Sequence, residues 1–233
     1  MMEPKRVIRR RNVYLISYLV IVAVIFTSVA LVFIYIPDEN ISTLIALLLM
    51  IVLAILSGYF KNTITSYNNL SRIAKLIIKQ ADPIPYSRDP FEIPFVTRDF
   101  DKIHTNDRFT LYAVGPKEKD KNNTPLQIII LLYKDIDFYD KEIDEEIEKL
   151  EKTYKKQPRR YQIIAFKQYP KIGEKEIKAL GEVVSYTVYR RVFTQINIGI
   201  NTENQKAYFL HSNEYSPNRN YLETVEWIKS ILL

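Results

Sequence analysis

The sequence predicts an α/β or α+β domain with a mixed sheet, preceded by a hairpin of two transmembrane helices. Two long charge-free apolar runs near the N-terminus indicate the hairpin, and strand and helix patterns alternating in the remaining chain indicate the domain. We therefore divide the chain into a basic N-terminus (1–12), the hairpin (13–60), a juxtamembrane helix with a Pro-rich connector (61–98) and the α/β domain (99–233).

The hairpin is predicted from the length and spacing of its apolar runs. The first covers 13–36 and the second 41–60, and neither contains an ionisable residue. At ~1.5 Å per residue, each can cross the ~30 Å hydrocarbon core of a bilayer. The short connection 37–40 forces the two spans to be antiparallel. A cleaved signal peptide would have an apolar stretch of only ~7–15 residues.

The charges flanking the spans predict their orientation. Five cations precede the first span, whereas the turn between the spans carries Asp38 and Glu39. The positive-inside rule then places both chain termini in the cytoplasm, at a cell membrane that we take to be a bacterial inner membrane. Because the spans lack ionisable residues, we expect an anchor rather than a transporter, and any pore would require an oligomer.

The segment that follows the hairpin joins it to the domain. Apolar residues recur at helical spacing over 59–81, which predicts a helix. That helix could continue the second span, lie on the lipid surface or pack on the domain. Prolines in 82–98 predict an extended connector, because proline removes hydrogen-bond donors and disfavours helix before it.

Hydrophobic patterns predict the elements of the domain in order. Strands are expected at 109–115, 126–133, 161–166, 192–200 and 207–211, and helices at 140–156, from Gly173, and after the Ser216-Pro217 start signal. The segment 183–191 fits both a strand and a continuing helix, and we favour a helix to Arg190. The order predicts helices packed on a mixed sheet.

Composition excludes several kinds of chemistry. The chain has no cysteine, and its five glycines form no phosphate-binding loop, so we predict no cofactor. After the five cations and three acids of 1–60 are set aside, the charge of the remainder is about +4. This mild excess suits an anionic ligand or lipid surface, and is smaller than proteins that bind extended nucleic acid usually carry.

Two groups of carboxylates are candidates for chemistry. Asp99, Asp101 and His104 offer ligands that a hard metal ion accepts, or they form a solvated turn. Asp135, Asp137 and Asp140 follow a predicted buried strand, at the end of the strand where α/β sheets often place functional groups. Acid–base work is one use for these carboxylates. Helix capping by Asp140 is the simpler one.

Two basic runs are the main candidates for binding. The first comprises Lys155, Lys156, Arg159 and Arg160, and the second Arg190 and Arg191. Cations are favoured at helix C-termini, so the runs could be solvated helix ends. If they meet in the fold, they predict a site for phosphate, a nucleotide or an acidic lipid. The nearby Tyr161, Tyr186 and Tyr189 could stack on a base.

One stretch resembles another family. The strand around Lys167, followed by a helix over 173–181 and a strand over 192–200, is similar to part of the restriction-endonuclease-like domains, some of which are tethered by two membrane helices. The resemblance covers about a quarter of the chain and implies phosphodiester cleavage with Lys167 as a catalytic residue. The chain departs from the family pattern at Ala165, where a glutamine is usual, and in lacking the upstream metal-binding aspartate.

From the sequence we expect a membrane-anchored cytosolic binding module, and we favour a role without catalysis over an enzymatic one. It would act as an accessory or scaffold subunit of a membrane assembly, such as a secretion or conjugation machine, or as a ligand-sensing effector. The expected partners are the bilayer, further copies of the chain, and either an anionic ligand or another protein. A membrane-tethered restriction-endonuclease-like domain, active or degenerate, is the alternative.

Overall fold

The structure is a computed structural model that describes residues 3–116, 124–133, 136–154, 157–188 and 191–233. The chain divides into two compact units, Met1–Ile78 and Lys79–Leu233. The first consists of two helices, and the second is an α/β domain with a mixed open sheet. Each unit is described by itself.

The first unit is a helical hairpin of α1 (Pro4–Tyr35) and α2 (Glu39–Ile78). The rings of Tyr14 and Tyr67 stack across the hairpin at 5.2 Å, and the hydroxyls of Tyr18 and Ser57 lie 3.1 Å apart. The Asp38 carboxylate accepts hydrogen bonds from two backbone N–H groups in the first turn of α2. Both helices are long and apolar enough to cross a membrane.

The helix predicted over 59–81 is part of α2. The helix continues without a break from the second apolar run to Ile78, so the structure agrees with the first of the three alternatives. The apolar residues and the cations of this segment therefore lie on one continuous helix, which is roughly 60 Å long at ~1.5 Å per residue.

Eight strands form the sheet in the described part of the second unit. They are β1 (Ile84–Pro85), β2 (Asp101–Thr105), β3 (Phe109–Val114), β4 (Leu126–Leu132), β5 (Arg160–Tyr169), β6 (Val183–Val188), β7 (Arg191–Asn201) and β8 (Lys206–Tyr208). Their order is β1-β8-β7-β5-β4-β3-β2, and β6 pairs with the first half of β7. The central strands β4, β5 and β7 are parallel, and all other pairs are antiparallel.

Helices cover both faces of this sheet. The helices α3 (Lys141–Thr153) and α4 (Glu174–Leu180) share one core with Ile163 and Ala165 of β5. The helix α5 (Arg219–Leu232) meets the intervening positions of β5, because Gln162 donates to its Asn220 carbonyl. Successive strand residues point to opposite faces, so the domain has three layers with the sheet in the middle.

The buried run Ile128–Leu132 explains why β4 is central. All five of its side chains are at most 2% exposed, which requires a covering layer on both faces. Strands buried on both faces are typical of parallel sheets with helices on each side. The prediction of a fully buried strand here is confirmed.

The structure corrects several sequence-based boundaries. Val183–Val188 is the strand β6, antiparallel to β7, and not a continuing helix. The two-residue spacing between β6 and β7 favours a hairpin over a helix–strand junction. The edge strands β1 and β2 were not predicted, and His211 lies beyond β8. Asn218, rather than Ser216, caps α5 through the backbone N–H of Tyr221.

Candidate ligand-binding site

The described members of the two basic runs lie at one edge of the sheet, where the parallel strands β5 and β7 begin. Because β5 and β7 are parallel and adjacent, their first residues lie side by side, with Arg160 paired to Val192. The backbone N–H of Val192 donates to the carbonyl of Arg159 over 2.8 Å. Arg159 and Arg191 therefore lie at the same edge. Lys155, Lys156, Arg190 and Tyr189 fall outside the described residues.

Arg160 points away from this edge towards α5. Its guanidinium forms an ion pair with Glu223, and its Nε donates to the Asn220 side-chain oxygen over 3.0 Å. Glu223 also accepts from Arg219 one turn earlier. These contacts fasten α5 to the start of β5. We therefore assign Arg160 a structural role and retain Arg159 and Arg191 as candidate ligand contacts.

An aromatic ladder extends across three strands beside Arg191. Tyr161 of β5 stacks on Phe193 of β7 with ring centroids 4.3 Å apart, and Phe193 stacks on Tyr186 of β6 at 5.0 Å. The register pairs both tyrosines with Phe193. Tyr161 is fully buried, whereas Tyr186 is 41% exposed at the end of the ladder. Stacked cross-strand pairs contribute about 0.5–1 kcal/mol each to a sheet.

Charges of both signs surround the ladder. Burial raises the pKa of the Tyr161 hydroxyl to about 12, and the negative charge of Glu151 adds to the rise while Arg191 opposes it. Burial also raises the pKa of Tyr186, with Glu151 and Asp144 adding to the rise and Arg191 again opposing it. Helix α3 thus brings its carboxylates near the ladder, and β7 brings a guanidinium.

The Tyr161 hydroxyl is the unusual atom of this cluster. It is buried and makes no hydrogen bond of ordinary geometry within the described part of the chain, although Glu151 and Arg191 are near enough to influence its pKa. The Glu151 carboxylate and the Arg191 guanidinium are the charged neighbours of this hydroxyl, and they act on its pKa in opposite directions.

The arrangement can hold a flat, charged molecule. An exposed aromatic ring provides a surface on which a heteroaromatic ring stacks. A guanidinium binds phosphate or carboxylate in bidentate geometry. Carboxylates can accept hydrogen bonds from ribose hydroxyls or exocyclic amino groups, as acidic residues do in dinucleotide-binding folds.

Lys167 lies at the opposite end of β5 from the ladder. Its ammonium donates to the Ile136 carbonyl over 2.9 Å and lies 5.5 Å from the centre of the Tyr169 ring. Nearby, the buried Asn197 side chain donates to the Tyr139 hydroxyl over 3.1 Å. These bonds connect the segment after β4 to β5 and β7. The surroundings of Lys167 therefore include a structural network.

The carboxylate candidates do not gather into a metal site. Among the described residues, no three His, Asp or Glu side chains come together in a way that could hold a metal ion. Asp99 adopts a left-handed backbone conformation (φ 65°) that closes a short 3-10 turn. His104 stacks on Phe109, with its Nδ1 3.5 Å from a carboxylate oxygen of Glu146. Asp101 lies exposed at the start of β2.

The second carboxylate group serves the start of α3. The side chain of Asp140 accepts from the backbone N–H of Glu142 over 3.0 Å, which confirms the predicted cap. Its second oxygen accepts from Arg108 over 2.8 Å, and Arg108 also pairs with Glu142. The cap bond and Arg108 together lower the pKa of Asp140. The described residue Asp137 accepts from the backbone N–H of Tyr139, and Asp135 falls outside the described residues.

Sequence reasoning missed two members of the cluster. Phe193, the middle ring of the ladder, was read only as part of a strand, and Glu151 only as part of a helix. A signal for Phe193 was present, because Val183, Val184, Thr187 and Val188 are β-branched and favour a strand that would pair with β7. No local signal could bring Glu151 near Tyr161, since that proximity depends on how α3 packs.

The fold and the site together define the structural class of this chain. The chain is an α/β domain with a mixed sheet, preceded by two long apolar helices, and its sheet carries an aromatic and charged cluster at one edge. Comparisons with protein-family models, with curated proteins and with solved structures find no match to the chain.

Proposed function

We propose that this chain is a membrane-anchored cytosolic binding module. The helical hairpin crosses the bilayer, and the α/β domain binds an anionic ligand with an aromatic ring, of the nucleotide class, at the edge formed by β5, β6 and β7. The observation that carries the binding proposal is the exposed end of the aromatic ladder beside Arg191, at the edge where Arg159 also lies.

Exposed apolar surface supports the membrane assignment. Large aliphatic and aromatic side chains on both helices are about half exposed or more, including Phe26, Ile34, Leu44 and Ile55. Apolar surface in water costs roughly 25 cal/mol per Å². Surface of this extent on a helix pair is compatible with a hydrocarbon environment, and it greatly exceeds the isolated apolar residues of ordinary protein surfaces.

Cysteine labelling tests the orientation of the hairpin. The chain has no cysteine, so a single one reports a single position. In intact spheroplasts, we expect a membrane-impermeant maleimide to label Glu39→Cys, in the turn of the hairpin, because cations lie at the other end. Asn204→Cys, in an exposed turn of the α/β domain, should react only after permeabilisation. The opposite pattern, or extraction of the protein by alkaline carbonate, would contradict this topology.

Thermal melting with a ligand panel tests the binding proposal. The detergent-solubilised protein is heated with nucleoside phosphates and cyclic dinucleotides, and separately with ribose 5-phosphate and unphosphorylated nucleosides. A ligand at about 100 times its Kd stabilises the folded state by about 2.7 kcal/mol, which raises Tm by roughly 5–10 °C for a domain of this size. We expect that rise only for molecules with both an aromatic base and a phosphate.

Substitutions at Tyr186 and Arg191 test whether the rise in Tm comes from binding at this edge. Tyr186→Ala and Arg191→Ala should each remove most of the shift, through loss of stacking and of phosphate contact respectively. Arg219→Ala is the matched control, because Arg219 is an exposed arginine on the helix that covers the other face of the sheet. If Arg219→Ala removes the shift equally, binding does not occur at this edge. A flat panel would favour a scaffold subunit that binds protein instead.

Ligand binding at this edge is compatible with an effector role. The ladder joins three strands, so a ligand that stacks on Tyr186 stabilises the β6–β7 hairpin and the edge of the sheet together. Association of hairpins in the bilayer would then couple several domains. Phosphodiester cleavage at Lys167 is not adopted as a second function, because the described residues gather no metal-binding carboxylate set near it.

A further inference from the structure

Three arginines occupy one face of the first helical turns of α1. Successive residues of an α-helix are rotated by ~100°, so Arg6, Arg9 and Arg10 lie within roughly 100° of the circumference. All three are exposed, and together with Val13 and Tyr14 they line an open surface groove. This arginine face is separate from the candidate site in the α/β domain.

The arginine face is not the side of α1 that packs on α2. The packing side contains Arg11, whose guanidinium donates to the Ser71 hydroxyl over 3.4 Å, and Tyr14, which stacks on Tyr67. Buried Val7 lies on the same side. Arg6, Arg9 and Arg10 project from the neighbouring part of the helix surface. The helix surface that carries them therefore differs from the surface that packs on α2.

An apolar strip continues the arginine face along the helix. Val13, Ile16, Val20 and Val24 follow at helical spacing on the same side and are 54–59% exposed. A surface that is cationic at one end and aliphatic along its length complements a molecule with an anionic head and hydrocarbon chains. A free phosphate would use only the first part of this surface.

The hairpin contains few carboxylates to neutralise this charge. At the end where the chain begins, α1 and the last turns of α2 carry the cations Lys5, Arg6, Arg9, Arg10, Arg11, Lys61, Arg72 and Lys75, against Glu3 alone. Cations are also disfavoured near a helix N-terminus by the macrodipole. The positive-inside rule accounts for the number of cations, but it does not require that most of those before the first span be arginine.

We propose that the arginine face binds the headgroup of an anionic phospholipid in the cytoplasmic leaflet. The guanidinium groups of Arg6, Arg9 and Arg10 contact the phosphate in bidentate geometry, and the acyl chains lie along the strip that begins at Val13. The inference rests on the proposed membrane insertion of the hairpin. A bound anionic lipid fixes the depth and rotation of α1 in the bilayer.

Lipid retention tests the proposal. The full chain is reconstituted in nanodiscs with equal amounts of phosphatidylglycerol and phosphatidylcholine of identical acyl chains, and the lipids retained on release are counted by native mass spectrometry. We expect the wild type to retain phosphatidylglycerol preferentially. Arg6→Gln, Arg9→Gln and Arg10→Gln should each lower that preference about fivefold, since one cation near an anionic surface contributes ~1 kcal/mol.

Two matched triple variants separate a lipid site from general charge. Substituting Arg6, Arg9 and Arg10 by lysine keeps the charge and the topology but removes bidentate contact, so the preference should fall markedly. Substituting Lys61, Arg72 and Lys75 by glutamine removes three charges at the same end of the hairpin, and the preference should remain. The proposal is overturned if both triple variants lose the preference for phosphatidylglycerol equally. It is also overturned if the preference does not fall when lysine replaces Arg6, Arg9 and Arg10.

Insertion is measured separately by resistance to alkaline carbonate. A protein that is inserted but shows no preference for phosphatidylglycerol refutes the lipid site and leaves the membrane anchor intact. A protein that carbonate extracts refutes the anchor itself.

Discussion

Replacing Asn220 by leucine is expected to lower the free energy of unfolding of the α/β unit by about 3–5 kcal/mol. Asn220 lies at the start of α5 and is only 4% exposed. Its amide nitrogen donates to the Tyr161 carbonyl over 3.0 Å and to the Thr194 hydroxyl over 2.9 Å. Its oxygen accepts from Arg160. Leucine has a similar size, so the loss comes from the partners that remain unpaired.

Denaturant unfolding monitored by the fluorescence of the single tryptophan, Trp227 on α5, measures this loss. The expected change corresponds to a decrease in Tm of roughly 10 °C. Asn213→Leu is the control, because that asparagine is exposed and should alter stability by less than ~0.5 kcal/mol. Adding Thr194→Val to Asn220→Leu removes one unpaired hydroxyl and should recover part of the loss. A cost below ~1 kcal/mol would show that α5 docks without this network.

The second large effect is expected at Gly199. A Cβ atom at this position would lie 2.6 Å from a methyl carbon of Leu180 and 3.0 Å from one of Ile172. Gly199 belongs to the central strand β7, and Leu180 ends α4, so the strand and helix approach too closely for a side chain. Gly199→Val should therefore cost about 3 kcal/mol through overpacking.

A double substitution tests whether crowding is the cause. Valine adds three carbons at Gly199, and Leu180→Ala removes three carbons from the same space. The double variant should then be more stable than the sum of the two single losses by about 1–2 kcal/mol. Additive losses would mean that the glycine is needed for its backbone rather than for space. Gly199 has no positive φ, which argues against a backbone requirement.

The two basic runs show how far local sequence information reaches. The second run was expected to end a helix, but its described member Arg191 begins β7, and the parallel pairing of β5 with β7 places it at the same edge as Arg159. The directions of the side chains could not be read locally. Arg160 follows Arg159 directly in the chain, but successive strand residues point to opposite faces of the sheet. The side chain of Arg160 therefore points towards Glu223 on α5.

Helix and strand were hardest to distinguish at 183–188. An isolated segment of six apolar and polar residues satisfies both periodicities, and its choice depends on a partner. Here the partner is the first half of β7, which leaves one edge open because β8 pairs only with its last residues. The resulting hairpin positions Tyr186 on Phe193 and so forms the exposed end of the ladder.

The sequence by itself determined the two apolar helices, the buried strand β4, the capped helix α3 and the absence of cysteine chemistry. Each depends on periodicity, length or composition within one segment, where the physical cause is local. Only the tertiary structure decided the strand order, the strand at 183–188, the structural role of Arg160, and the proximity of Glu151 and Arg191 to Tyr161. These features depend on pairing and packing between segments distant in the chain, whose energies no single segment contains.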